Sequence, residues 1–501
     1  MNQFRSRYLS RSLALTIFFF TAMAQLWLVA KAGTDIPFDD QWSAEGRMIY
    51  SHWCSGNLQI GDLFRAHNEH RILWTHLWNL FLFVVNGQWD PSVQQLFNIP
   101  LRATCAVLIF CFLGFGLLRS EKFALALAVA LGFLPFLSWH NVLWGFQSQV
   151  WFSIIFSLIS LWVASRATSS RELAIAGLAG IAAELAMGSG FLIPVGILAL
   201  SVARFVIRSP KESPALSIKG LATLGGVLLL LAAALHVNVA QHDQLRPDSM
   251  LAFFIAFAKA LAWPEFDVPL AALIVGAPFA WLLINLWREK KPLNATESGL
   301  IATGFWLIGI AAASAWSRGG SPEFDQALPS RYTDFIVMWP LVNLACMFRC
   351  IQSFELNRRR RGQALAVLWS LVIVFCWVGD NAYIIRGIII PRVHDREAPV
   401  RIAREFQLTR EPAVFAAKPR LYVPSSSPAS ILSVLDDPSL KNRLPPSFQP
   451  AAKLGFASQI VVFVRSKLPS ILWGATGAYL VALLSLLRSA HCFRIQRTND
   501  S

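Results

Sequence analysis

The sequence predicts an all-α polytopic membrane protein with about twelve transmembrane helices, and three observations carry that expectation. The chain is 55% hydrophobic and only 15% charged, with a mean hydropathy of +0.50. Soluble domains are about a quarter charged. Apolar runs of bilayer length recur from one end to the other, and lysine and arginine gather in every second connection between them. A net charge of +15 raises the question of nucleic acid, but no basic stripe, zinc-finger spacing or RNA-binding motif accompanies it. The positives sit in short loops, where they act as orientation signals. Seven scattered cysteines include no CxxC, so no disulfide framework is expected.

The first element is an apolar run from Ser12 to Ala30, preceded by Arg5, Arg7 and Arg11. The "AKA" at Ala30 to Ala32 resembles a signal-peptidase site. The run nevertheless has the length of a bilayer-spanning helix, roughly 20 residues, and exceeds a usual signal core, so an uncleaved anchor is expected. Further spans follow at 93–118, 122–138, 150–165, 172–188, 190–207, 217–236, 268–287, 298–316, 332–350, 363–385 and 468–487. The basic connections are "RSEK" at 119, "SRATSSR" at 165, "RSPKESPALSIK" at 208, "WREKKP" at 287, "NRRRRG" at 357 and "FRIQR" at 493. They alternate with acidic or polar loops, which predicts a multi-pass protein of the cell membrane, a bacterial inner membrane, with both termini cytoplasmic. The other face collects "TDIPFDDQW", "HNEHRILW", "SWHNVLWGFQSQ", "MGSG", "HVNVAQHDQLRPDS", "SRGGSPEFDQALPSRYTDF" and "VGDN". One face is therefore plainly basic, and the other holds nearly every group able to bind a polar substrate or move a proton.

Residues 1–390 form the expected transmembrane domain, 391–465 a small proline-rich extracytoplasmic segment, and 466–501 a last helix with a cytoplasmic tail. Within the outer loop 32–92, Ser43 to Trp53 and Ile72 to Asn86 are amphipathic and too short to span. Tryptophan favours the headgroup level, so both are expected as helices lying in the interface. The short run 250–266 is expected as re-entrant or interfacial, because a crossing there breaks the charge alternation.

No phosphate-binding glycine loop or dinucleotide fingerprint is present, and "GSG" at 188–190 lacks the context of a nucleophile elbow. The strongest candidates are Asp39 and Asp40, flanked by Phe38 and Trp42, with Asp35 and Glu45 nearby. Adjacent carboxylates beside apolar surface repel each other and lose solvation, which suits a general base. Their hard oxygens also suit magnesium or manganese, and the plainer alternative is a helix N-cap. In "HNEHR", Glu69 offers acid–base chemistry and Arg71 an anion contact. Arg318 and Arg331 end neighbouring helices, and their planar forks suit bidentate phosphate binding. Gly319 and Gly320 leave room for a headgroup, and Tyr332 is expected at the interface. Lys259 adds a positive charge on the same face. Glu184, inside an apolar helix, is a functional candidate by its position.

This layout resembles the GT-C class of membrane glycosyltransferases. The resemblance is carried by "PFDDQW" at 37–42 after the first helix, the amphipathic pieces that follow, and the late arginine-bearing loop ending "SRY" at 330–332. It implies transfer of a sugar from a polyprenyl-phosphate donor to a lipid, glycan or protein acceptor at the outer membrane face. By position after Pro37-Phe38, Asp39 matches the catalytic carboxylate of that class, the base that takes the acceptor's proton, with Asp40 where an Asp-Glu pattern is usual. Arg331, with Arg318 or Lys259, then neutralises the departing phosphate. Two other readings stand beside it: a transporter or flippase of lipid-linked sugars, and a polysaccharide polymerase or ligase.

Overall fold

The computed structural model describes residues 2–207, 215–265, 267–322, 324, 328–416, 418–449, 453–474 and 477. Among these residues nine helices are long and apolar enough to cross a bilayer: Tyr8–Ala32, Pro91–Leu113, Gly145–Arg166, Gly188–Val206, Ile218–Leu235, Ala271–Glu289, Ala295–Arg318, Ser330–Gln352 and Arg358–His394. The chain is an α-helical, multi-pass membrane protein. The described residues contain one sheet, the hairpin of Ala66–His67 with His70–Arg71.

Three expected spans differ. The runs at 122–138 and 172–188 fold as the shorter helices Arg119–Gly132 and Ser170–Glu184. Each starts just before the expected run on a capped turn, Glu121 accepting from the Leu118 amide and Glu172 from the Ser169 amide. Each also stops early, before Leu134-Pro135 and before the extended Met187, and so falls short of the roughly 20 residues a crossing needs. The run at 468–487 lies largely outside the described residues, and a helix over 456–474 leads into it. The penultimate expected span is longer than predicted. Leu356–Ile384 continues through a π-helical turn at Ile385–Ile389 into Ile390–His394. Met250–Ala262 is a helix of 13 residues, too short to cross, packed on Ala271–Glu289 and Ala295–Arg318.

The main core gathers the inner faces of the spans around Phe110, Phe133, Trp151, Trp306 and Phe335. One ion pair is sunk in it. Arg102 donates to Asp334 at 2.9 Å, and each side chain is 1% exposed. Arg102 also bonds the Phe133 carbonyl and Ser138 Oγ, while Asn141 and Trp151 donate to Asp334. Such a pair holds position only because every remaining donor and acceptor is met; losing one partner costs about 3–5 kcal/mol. It joins the Pro91–Leu113 span to the start of Ser330–Gln352 and fixes the 138–141 loop between them.

A second core lies at one end of the bundle and unites distant parts of the chain. Ile36, Trp42, Ile49, Tyr50 and Trp89 from the first loop pack with Phe406, Ile431, Val434, Leu444 and Phe448 from the C-terminal segment. The expectation of an interfacial helix at Ser43 to Trp53 is corrected here. Gln41–Tyr50 is a π-helix buried under that segment, because its apolar face meets protein. Leu73–Asn86 keeps Leu77, Phe81, Val84 and Val85 exposed, the outward stripe of an amphipathic helix.

Candidate functional site

Five loops meet at the same end of the bundle as the second core. The His140 amide bonds Ser330 Oγ at 3.2 Å, and Asn141 Nδ2 bonds the Arg331 carbonyl at 3.2 Å. The Val237 amide bonds the Glu69 carbonyl at 3.1 Å, and the Gly320 amide the Leu245 carbonyl at 3.0 Å. Asp39 is held by the C-terminal segment through its own amide, which donates to the Pro424 carbonyl at 2.7 Å.

Asp39 and Asp40 sit on the turn into Gln41–Tyr50. Asp39 has φ +44°, in the left-handed region, a conformation costly for a residue with a Cβ and concentrated at functional sites. Its carboxylate binds Arg420 and lies 3.4 Å from the Ser426 amide. Asp40 occupies the N-cap position but makes no capping hydrogen bond with its side chain. It pairs instead with His67 Nε2 at 3.2 Å. The capping alternative therefore fails for both.

The neighbouring carboxyls titrate in opposite directions. Burial pushes Asp39 above the ordinary carboxylate value; Arg420 opposes this and the charge of Asp40 adds to it. Burial also pushes Asp40 up, but the hydrogen bond and charge of His67, with Arg331 and His70 behind them, outweigh burial and hold it low. Arg331 lies with its guanidinium carbon 5.4 Å from the Tyr332 ring centroid. His140, stacked on Trp144 and edge-on to Phe38, is pushed down to about 3 by burial and by the charges of Arg331, Arg392 and Arg420. Three arginines thus raise the positive potential around one ring, beside one raised and one lowered carboxyl.

The hairpin supplies a second node. Asn68, at φ +52°, turns the chain so that Glu69 reaches His242, with Arg318 Nη2 at 3.6 Å from the same carboxylate oxygen. Burial raises Glu69, and the His242 hydrogen bond and Arg318 charge more than offset it, leaving it low. His70 is pushed down to about 4, first by burial and then by His67. Glu69 and Arg318 are thus brought together, with His242 between them as a partner that the sequence did not pick out.

The remaining candidates stand apart from these nodes. Arg71 spends a guanidinium nitrogen on the Phe64 carbonyl at 2.6 Å, which closes the hairpin's own loop. Lys259 is half-buried on Met250–Ala262. Glu184 ends its helix fully buried, with neither carboxylate oxygen hydrogen-bonded among the described residues. "GSG" is a tight 3-10 turn, because a Cβ on Gly190 would lie 2.1 Å from the Ala183 carbonyl. The room expected at Gly320 is filled: a Cβ there would lie 2.2 Å from the Arg246 carbonyl. The aspartate pair does not fit magnesium or manganese. Its carboxylates are engaged by a guanidinium and an imidazole, and the described residues hold no group of three metal-ligating side chains.

Sequence reasoning mentioned Glu45 only in passing, yet it centres a buried network. Gln41 and Gln94 each donate to it at 3.0 Å, and Asn79 donates as well. Burial nevertheless pushes its carboxyl up to about 7, against those hydrogen bonds. A raised folded-state value means that stability is greatest at low pH and falls as pH rises from the unfolded value toward 7. Melting of the detergent-solubilised protein should therefore drop between pH 5 and pH 8, and Glu45→Gln should flatten that drop. Equal slopes in the two proteins would remove Glu45 as its source.

No family model matches the chain, and neither a curated protein nor a solved structure shows a match to it.

Proposed function

We propose that the protein is a GT-C-type glycosyltransferase of a bacterial inner membrane, moving a sugar from a polyprenyl phosphate to an acceptor hydroxyl at the extracytoplasmic face. The observation that carries this reading is the divergence of Asp39 and Asp40 beside Arg331 and Arg420. Environments that push two carboxyls apart separate a proton acceptor from a group that stays charged. Asp39, raised by burial, takes the acceptor's proton. Asp40, held low, stays ionised and orients His67.

In the reaction the acceptor oxygen forms a bond to the anomeric carbon as the bond from that carbon to the phosphate oxygen breaks. The bonding electrons leave with the phosphate, which gains a negative charge, and the hydroxyl proton goes to Asp39. Arg331, with Arg420 from the C-terminal segment, stabilises the charge that develops on the phosphate. Preorganised groups of this kind are commonly the largest catalytic contribution. The exposed stripe of Leu73–Asn86 gives the polyprenyl chain an apolar approach from the bilayer. The polar end faces outward on this reading and both termini face the cytoplasm, as the basic connections require.

The test is incubation of purified protein with a panel of polyprenyl-phosphate sugars and hydroxyl-bearing lipids and glycans, read by mass spectrometry. Free polyprenyl phosphate together with a glycosylated acceptor is the expected result. Translocation of the lipid-linked sugar across liposomes, with no such product from any donor, would replace this reading with a flippase.

A further inference from the structure

Four residues before Asp39, the chain borders a second concavity. Arg396 Nε and Arg465 Nη2 both donate to the Gly33 carbonyl at 3.0 Å, and Arg465 also reaches Ser92 Oγ at 3.2 Å. Asp35 accepts from the amide and hydroxyl of Ser447, both at 2.6 Å. Asp90 accepts from the Ser92 amide at 2.8 Å and from Ser458 Oγ at 2.6 Å. These groups frame a cavity of about 190 Å³ whose apolar wall is Val400, Leu454 and Val461. The first loop, the Ala398–Thr409 region and the 456–474 helix all contribute to it.

We propose that this cavity is a subsite for one sugar unit of a glycan acceptor, an inference that rests on the transferase reading. The lining selects the ligand class. Carboxylates, guanidiniums and hydroxyls on one side match hydroxyl groups that both donate and accept, and the apolar wall matches the C–H face of a pyranose. Asp35, Asp90 and Glu397 disfavour an anion, and the two arginines disfavour a metal cation. At roughly 30 Å³ per water the space equals about six waters, enough for a sugar ring and too polar for a prenyl chain.

The reach to Asp39 is suitable. Four residues span at most about 14 Å, so Asp35 in the cavity wall and Asp39 are close enough for a short glycan to bridge them. Its terminal hydroxyl then meets the base while the preceding unit is held.

The experiment uses the full chain in nanodiscs, with saturation-transfer NMR of a panel of monosaccharides and short glycans, and with acceptor KM beside kcat. Leu454→Trp fills the cavity, and Arg465→Lys keeps charge while removing the planar fork. Glycan binding should be lost in Leu454→Trp, and the acceptor KM should rise at least tenfold in both variants with a smaller change in kcat. Should Arg465→Lys fail to fold, Leu454→Trp alone decides. Binding and KM equal to wild type would overturn the subsite. Sugar release from the donor in the absence of acceptor reports on the transferase reading separately. Donor cleavage with unaltered variants removes only the subsite; glycan binding lost in Leu454→Trp without donor cleavage by wild type removes the transferase and leaves a sugar-binding cavity.

Discussion

Asp39→Asn should abolish sugar transfer, by about a hundred- to ten-thousand-fold, the range of a general-base contribution. Asparagine keeps the shape of the side chain and tolerates the positive φ of Asp39, so folding should be nearly unchanged. The neighbours make the assignment specific. If Asp39 is the base, transfer falls as pH drops through its pKa, and the acidic limb of kcat/KM sits above the ordinary aspartate value of about 3.9. Arg420 lowers that pKa and Asp40 raises it. Removing the guanidinium with Arg420→Met should therefore move the limb to higher pH, and Asp40→Asn should move it to lower pH. A cap or a purely structural aspartate shows neither displacement. Wild-type turnover in Asp39→Asn, with loss in Asp40→Asn, would exchange the two roles.

What a single sequence reveals of this site depends on how local each signal is. Asp39 and Asp40 stand out because two acids beside Phe38 and Trp42 at a helix mouth are anomalous within a few residues. Glu69 stands out in "HNEHR" for the same reason. Arg420 carries no such mark. It is one arginine in a proline-rich stretch, and its partner Asp39 is 381 positions away. His242 and Glu69 are likewise 173 positions apart. Asp334 was hidden at the start of an apolar run, where only its buried pairing with Arg102 gives it meaning.

The fold divides in the same way. Hydrophobic runs and charge alternation make the multi-pass architecture legible, since both are local statistics. Helix ends are not, because the caps at Glu121 and Glu172 and the stops at 133 and 187 decide length within one turn. The burial of Gln41–Tyr50 could not be read either: an amphipathic stripe looks the same whether lipid or Val434 and Phe448 will cover it.

Arg331 should separate chemistry from binding. Its charge already acts on Asp40 and His140, and the Asn141 bond to its carbonyl fixes its backbone against the Arg102–Asp334 pair. Arg331→Ala removes charge and fork together and should lower single-turnover rate by about a hundred- to thousand-fold, the usual loss for one preorganised stabilising group. Arg331→Lys keeps the charge but loses bidentate geometry, so its rate should fall between the two. Donor affinity should fall less than rate in both variants. The phosphate of the bound donor carries one negative charge and acquires its second only as the sugar departs, so the interaction strengthens toward the transition state. A transporter makes no such distinction, because its substrate's charge is the same before and after translocation, and binding and transport weaken together. Donor affinity measured beside single-turnover rate in wild type, Arg331→Lys and Arg331→Ala decides between them, and equal losses in both quantities would take Arg331 out of the chemistry.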